Sequence, residues 1–225
     1  MRRLVKLVVL GVVVVVVVGG AALYWFVIRG DAKPRAHIEQ TKVSAGGPLD
    51  GSWTLRPSDG RSFVGYRVQE QFAAATIEST ATGRTGEVQG TLRVSGTTVD
   101  GVTVTANLAT LKSDKSLRDA RLHTMGLETD RFPDAKFVQT QPIRLAHVPA
   151  AGETVDATAV GDLTLHGVTR TVSIPVQGRW DGQAVQVVGH LPITFSDYRI
   201  DAPSIGGFTS VSDHGELEFQ VFFTR

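Results

Sequence analysis

Regular alternation of apolar and polar residues is the feature that most constrains how this chain folds. It is clearest from Val102 to Leu108 and from Glu216 to Val221, and the second run continues into Phe222 and Phe223. Such alternation predicts β-strands with one face in water and the other in a dry interior. The abundance of Val, Thr and Gly also favours strands and turns over helices. We therefore predict an all-β fold over most of the chain.

Turn signals separate the predicted strands. His166-Gly167 and Asp181-Gly182, for example, fall between apolar runs, where tight hairpin turns are expected. Strands at a spacing of about ten residues are typical of a β-sandwich or a closed barrel, and the pattern alone leaves both open. Besides the two runs above, the predicted strands are Ser62–Glu70, Glu87–Ser95, Lys136–Leu145, Thr154–Leu165, Thr169–Gln177 and Ala184–Ile193.

One segment breaks the alternation. Over residues 113–126 the spacing of Leu117, Leu122 and Met125 predicts a short helix with these three side chains on one face. A helix placed between strands in this way is expected to cover one mouth of the β-structure.

The N-terminal part of the chain belongs to a different physical class. Residues 7–28 contain no charge, and as a helix they would span a hydrocarbon core of about 30 Å. Basic residues precede the segment, which favours a cytoplasmic N-terminus. A cleaved signal peptide is the alternative, but its apolar region is usually only about 7–15 residues long. We predict a single-pass anchor over residues 1–29 in the cell membrane, with the rest of the chain extracytoplasmic.

Two further regions follow the predicted anchor. Residues 30–51 are polar and show neither a strand nor a helix period, which predicts a flexible linker. Residues 52–225 carry the alternating pattern and are long enough for one domain with its own core.

Composition excludes several functions. The chain has no cysteine, so disulfides, thiol catalysis and cysteine-bound metals are ruled out. The formal net charge of +1 gives no reason to expect a nucleic acid as partner. The six histidines form no local metal-binding motif, and nothing in the sequence indicates a metal or a cofactor.

A charged cluster is the strongest candidate for catalysis. Asp114, Arg118 and Asp119 would supply a carboxylate base and an arginine that binds an anion. The alternative is a capped helix whose ion pair holds it over the barrel. We favour the structural role because no nucleophile accompanies the cluster.

Four pieces of sequence, in order along the chain, together resemble the YceI-like family. The order of the pieces matters, since a single one such as Leu-Thr-Leu-His-Gly would be weak by itself. They are Trp53–Leu55 with Ser62–Val68, Ser113–Asp119 with Phe132–Phe137, Gly161–Arg170, and Ser196–Tyr198 with Val211–Asp213.

The resemblance implies a lipocalin-like, eight-stranded antiparallel barrel with a short helix, preceded by the N-terminal transmembrane helix. It also implies non-catalytic binding, storage or transport of an isoprenoid-type or similar amphiphilic lipid. The expected partners are a polyisoprenoid or other long apolar lipid, and the cytoplasmic membrane through residues 7–28, while a homodimer is left open. Two alternatives remain: an envelope stress or interaction module with a fully packed barrel, and an enzyme that uses the charged cluster.

The family's function requires dry walls and an open mouth. Inward-facing apolar positions of the predicted strands and aromatic residues near the mouth are therefore the expected ligand contacts, although alternating apolar residues are ordinarily core. The predicted ligand-binding residues are Tyr66, Val104, Ala106, Leu108, Phe132, Phe137, Phe195, Tyr198, Phe208 and Phe219.

Overall fold

The computed structural model describes residues 32–44, 46–72, 77–201, 209–211 and 213–225. In these ranges the chain forms strands, one short α-helix and several helical turns. Helix α1 is Ser116–Arg121 and continues as a π-helical turn over Leu122–Gly126, and 3-10 turns occupy Leu108–Thr110 and Phe195–Tyr198. The strands are β1 Gly51–Leu55, β2 Phe63–Phe72, β3 Ile77–Thr85, β4 Val88–Ser95, β5 Thr98–Asn107, β6 Lys112–Ser113, β7 Asp134–Gln141, β8 Ile143–Arg144, β9 Thr154–Leu165, β10 Val168–Trp180, β11 Ala184–Thr194, β12 Thr209–Val211 and β13 His214–Thr224.

The sheet closes on itself. The ladder runs β1-β4-β5-β7-β9-β10-β11-β13, and β13 returns to β1 through the pair Thr54 and Thr224. Strands β1 and β2 lie one after the other along β13 and together form one long bent strand. Strands β3 and β4 form a second long bent strand beside it, since β2 pairs with β3 and β1 pairs with β4. Each of these ladders is antiparallel. The prediction of a closed eight-stranded antiparallel barrel with a short helix is confirmed.

No helix within the described ranges has both the length and the hydropathy of a membrane span. The anchor predicted over residues 7–28 lies outside the described residues, as does Phe208.

The alternation seen in the sequence becomes the inside and the outside of the barrel. On β13, Leu217, Phe219, Val221 and Phe223 face inward, and the last two are almost fully buried. Burying such side chains stabilises the fold by roughly 1.5–3 kcal/mol each. Inward residues gather in two apolar clusters, one toward each end of the barrel.

The two ends of the barrel differ. One end, which we call the helix end, carries α1, the turn His166-Gly167 and the 3-10 turn Phe195–Tyr198. The other end, which we call the hairpin end, carries tight turns such as Ala151-Gly152 and Asp181-Gly182. At the helix end, His166 and Gly167 both have positive φ, at 51° and 71°, as a two-residue hairpin turn between β9 and β10 requires.

Part of the predicted flexible linker lies against the barrel. Residues 33–44, which we call the strap, lie along the outside of β3, β2, β13, β11 and β10. The strap lacks an apolar period because it is held through its backbone: the Glu39 N–H donates to Gln186 Oε1 at 2.9 Å, and the Gln186 side chain donates to the His37 carbonyl at 2.9 Å. Sequence periodicity does not register contacts of this kind.

The helix at the mouth also differs from its predicted form. Leu122 is partly buried against the apolar cluster, as expected, but Leu117 and Met125 are 61% and 64% exposed. For Met125 the reason is that α1 ends at Arg121 and the chain continues as a π-helical turn, whereas Leu117 lies five residues before Leu122 and so about 140° away from it around a regular helix. This change of helical period rotates Met125 away from the face expected for a regular α-helix.

Candidate functional site

The barrel encloses a larger cavity of about 170 Å³ that extends toward the hairpin end. Its walls are almost entirely apolar and come from nearly every strand. The charged residues among those that line it are Lys136, Glu153 and Arg179. The Arg179 side chain itself points outward to Thr41 of the strap. The apolar walls include Val94, Val104, Ala106, Phe137, Ala159, Leu163, Val176, Trp180, Val187 and Phe219.

A smaller cavity of about 110 Å³ lies toward the helix end. Leu122 and Leu127, which follow α1, form part of its wall, so the helix covers this cavity as the sequence predicted. Its charged lining residues are Glu70 and Arg118, and its apolar walls include Val68, Leu108, Leu111, Leu165, Ile193, Phe195 and Ile200.

The two cavities share wall residues. Val64, Ala135 and Leu217 line both of them. The two cavities are therefore adjacent, and the apolar interior extends from one end of the barrel toward the other.

Seven of the ten predicted ligand-binding residues line these cavities. Val104, Ala106, Phe137 and Phe219 line the larger one, while Tyr66, Leu108 and Phe195 line the smaller one. Tyr198 is buried in the apolar cluster at the helix end without lining either cavity.

Phe132 also lies outside the two cavities. Its ring packs edge-on against His166, with ring centroids 4.5 Å apart. A side chain on Gly167 would stand 2.6 Å from the same ring, so glycine is required there by space as well as by its positive φ. Phe132 therefore supports the turn between β9 and β10.

The charged cluster is held in an ion-pair network. Arg118 donates from Nε and Nη2 to the two carboxylate oxygens of Glu70 at 2.8 and 2.9 Å, and from Nη1 to Asp114 at 2.5 Å. Burial by itself disfavours the charged form, but Glu70 outweighs it and raises the pKa of Arg118 above its ordinary value. Asp119 accepts from the backbone and the hydroxyl of Ser113 at 2.9 and 2.6 Å.

Glu70 is the residue that the sequence analysis missed. It is 4% exposed and ties α1 to β2 through Arg118. A signal was present: along β2, Glu70 has the same inward phase as Val64, Tyr66 and Val68. An acidic side chain at an inward position indicates a buried partner of opposite charge.

Each cavity also has a buried donor without an acceptor among the described residues. They are the Tyr66 hydroxyl at the smaller cavity and the Trp180 indole N–H at the larger one. Burial raises the pKa of the Tyr66 hydroxyl well above its ordinary value, so the group stays protonated at neutral pH. Buried donors are rarely left unpaired in native proteins. Both polar atoms have less than 1 Å² of accessible surface, so neither is open to a molecule in its cavity.

A cluster of three potential metal ligands forms on the outer surface. The ligand atoms of His190, Glu216 and Glu218 lie within 4.8 Å of one another. They come from two adjacent strands, so no local sequence motif marks them. The two carboxylates already pair with arginines, Glu216 with Arg35 and Glu218 with Arg84. This positive charge opposes a cation.

The motif pieces quoted from the sequence come together at the helix end. The His166 ring donates through Nδ1 to the Tyr198 carbonyl at 3.1 Å, and the Arg170 side chain donates through Nε to the Asp197 carbonyl at 2.7 Å. The neighbouring Ser196 hydroxyl donates to Asp213 at 2.6 Å. The motifs thus build one end of the barrel.

The comparisons with known proteins agree with this architecture. A family described as YceI-like domain matches residues 53–223, which is more than half of the chain. UPF0312 proteins of Pseudomonas putida (strain F1) and Pseudomonas syringae pv. syringae (strain B728a) are 31% and 32% identical over 110 residues. These matches cover 45% of this chain and 53% of each relative, so the chain spans about half the length of the curated relatives it matches.

Solved structures show the same fold. A polyisoprenoid binding domain from Saccharophagus degradans, implicated in plant cell wall breakdown, has a TM-score of 0.60 at 16% identity and covers 76% of this chain and 97% of its own. BcnA from Burkholderia cenocepacia has a TM-score of 0.55 at 18% identity, with coverages of 72% and 95%. At these identities the likeness concerns the fold alone.

Proposed function

The chain belongs to the YceI-like family, and from this membership we propose that it binds a long apolar lipid of the isoprenoid type inside the barrel without catalysing a reaction on it. The observation that carries the proposal is the pair of apolar cavities that share Val64, Ala135 and Leu217. The fold neighbour from Saccharophagus degradans, described as a polyisoprenoid binding domain, supports the same ligand class.

The driving force is the burial of hydrocarbon. Removing a CH₂-sized group from water contributes about 0.8 kcal/mol, less the cost of ordering a flexible chain. A dry apolar cavity of about 150 Å³ is large enough to hold a ring such as benzene. The larger cavity, at about 170 Å³, therefore accommodates a short run of prenyl carbons, and a longer chain extends into the smaller cavity past Ala135.

The two alternative functions agree less well with the geometry. A fully packed interaction module would have a filled interior, but this barrel contains two apolar cavities. An enzyme that uses Asp114, Arg118 and Asp119 would need these groups to be free for substrate, but Arg118 is held by Glu70 and Asp114, and Asp119 is held by Ser113. We therefore propose a carrier or storage protein, tethered outside the cytoplasmic membrane by residues 7–28.

The first experiment is to extract the full chain from membranes in mild detergent and to identify its bound lipid by mass spectrometry. We expect a prenyl-type lipid in near-stoichiometric amount. After delipidation, a fluorescent prenyl alcohol should accept excitation energy from Trp180, and Trp180→Phe should lower that signal because it removes an indole that lines the larger cavity. If no lipid co-purifies and the delipidated protein takes up no probe, the proposed function is refuted.

A further inference from the structure

The path of the strap has a defined start. The Lys33 N–H donates to Thr82 Oγ1 at 3.0 Å, and Arg67 donates to the Lys33 carbonyl at 2.7 Å. Thr82 and Arg67 are paired across β2 and β3, and the next residue, Gly83, pairs with Ser113 just before α1. The strap therefore begins near the helix end of the barrel.

From this point the strap runs toward the hairpin end. Arg35 pairs with Glu216, near the start of β13, and the Glu39 carboxylate then accepts from the Gln220 side chain at 3.0 Å, farther along the same strand. At its far end the Ser44 N–H donates to the Asp181 carbonyl at 2.8 Å, in the turn between β10 and β11. The direction of the strap is thus fixed by contacts at both ends.

The length of chain before the strap limits where a membrane anchor can lie. The predicted span ends at Ile28, and only residues 29–32 separate it from Lys33. At no more than about 3.6 Å per residue, Lys33 lies within about 18 Å of the end of that span. The 11 residues of β13, tilted as in small barrels, extend nearly 30 Å along the axis. The helix end is therefore the end that the tether holds near a bilayer.

The surface of the helix end is suited to this position. Leu117 and Met125 project into solvent from α1 and the π-helical turn, at 61% and 64% exposure. Both are large apolar side chains on the single segment 116–126, and exposed apolar surface of this kind is typical of a contact with lipid or protein. On the inner side of the same segment, Leu122 and Arg118 line the smaller cavity.

We infer that the strap orients the barrel with its helix end on the phospholipid bilayer, so that Leu117 and Met125 contact lipid and ligand exchanges through the smaller cavity. This inference rests on the proposed function, because it uses the predicted anchor. It goes further by assigning which end of the barrel meets the membrane and which element contacts it.

The absence of cysteine allows a direct test. Single substitutions Leu117→Cys and Val148→Cys place a nitroxide label at the helix end or at the hairpin end of the full chain. Val148 is 53% exposed, a close match to Leu117. Because both side chains are exposed, neither change removes core packing. The proteins are reconstituted in vesicles of phosphatidylethanolamine and phosphatidylglycerol, and label accessibility is measured with oxygen, which partitions into lipid, and with a water-soluble nickel chelate.

We expect the label at position 117 to be relaxed mainly by oxygen and the label at position 148 mainly by the nickel chelate. Equal behaviour at the two positions, a label at position 148 in lipid, or a label at position 117 that a second copy shields from both reagents would overturn the inference. Bound lipid is quantified in the same samples. Lipid retained with both labels in water rejects the orientation alone, whereas a lipid-immersed label at position 117 without bound ligand rejects the proposed function alone.

Discussion

At the scale of single residues, Glu218 has an unusual environment. It faces outward on β13, yet its side chain is fully buried. Arg84 donates to Glu218 Oε1 from Nε and Nη2 at 3.2 and 2.7 Å, and a nitrogen of Arg67 lies 3.6 Å from Oε2. Both arginines also donate to the strap, at the carbonyls of Lys33 and Pro34. Glu218 is thus the counter-charge that lets two arginines hold the strap.

Replacing Glu218 with glutamine should destabilise the protein by about 3–5 kcal/mol, because two partly buried arginines would lose their shared counter-charge. The free energy of unfolding from urea titrations measures the effect. Glu216→Gln is the matched control, since Glu216 lies two residues away on the same face and its side chain is 24% exposed. The control should cost no more than about 1 kcal/mol. Similar losses in the two variants would contradict the role of Glu218.

At the scale of elements, sequence pattern predicted most of the strands that have large inward side chains, although it did not predict the short strand β1, which carries Trp53 and Leu55. Strand β3 has no such pattern, because its inward positions are Ala81, Gly83 and Thr85. These residues are small for a physical reason: a side chain on Gly83 would stand 2.4 Å from the Tyr66 ring. Alternation in the sequence reveals a strand only where the strand itself supplies bulk to the core.

The same limit applies to the site and to the strap. Seven predicted ligand contacts line the cavities, and those on strands do so because inward phase follows from alternation. Phe132 and Tyr198 do not, because aromatic character alone does not distinguish a cavity wall from a support beneath it. Glu70 was missed because its partner, Arg118, lies 48 residues away. The strap was missed for a related reason, since its backbone pairs with side chains such as Gln186 that are distant in sequence.

Arg179 provides a test of the strap as an element. It is 6% exposed and donates to the Thr41 carbonyl and hydroxyl, both at 2.7 Å, and to the Gly152 carbonyl at 3.1 Å. Hydrogen bonds from a charged group contribute about 1.5–3 kcal/mol. Arg179→Met should therefore speed amide hydrogen exchange over residues 39–44 by roughly 10- to 100-fold.

The strap experiment has a control on the same strand and face. Gln177→Met replaces an exposed residue whose side chain bonds to Asp156 instead of the strap. Exchange over residues 39–44 should stay unchanged in this variant. Unchanged exchange in Arg179→Met as well would show that the strap does not depend on this arginine.

At the scale of the whole molecule, the barrel interior contains closely packed regions and two apolar cavities. The packed regions stabilise the fold, and the cavities are the space that a ligand would occupy. The fully buried Trp53 and Phe223 fill the core of the barrel wall near the hairpin end. Alanines such as Ala106, Ala135 and Ala159 leave space along the axis. Small residues at inward positions thus cost hydrophobic stabilisation in the unliganded protein, and a bound lipid would restore it.

Because the cavity has room for added carbon atoms, we predict different outcomes for single leucine substitutions at two neighbouring positions of β9. Ala159→Leu directs the new side chain into the larger cavity, whereas Thr158→Leu directs it to the exposed outer face. Overpacking destabilises a core that is already full, but a cavity accepts added carbon atoms with little strain. Ala159→Leu should therefore keep or raise the melting temperature while its affinity for a prenyl alcohol, followed by Trp180 fluorescence, falls at least about tenfold, or 1.4 kcal/mol. Thr158→Leu should bind like the unmodified chain. Unchanged affinity in Ala159→Leu would place the ligand elsewhere, whereas a lowered melting temperature would mean that the cavity walls lack the freedom to accept a guest.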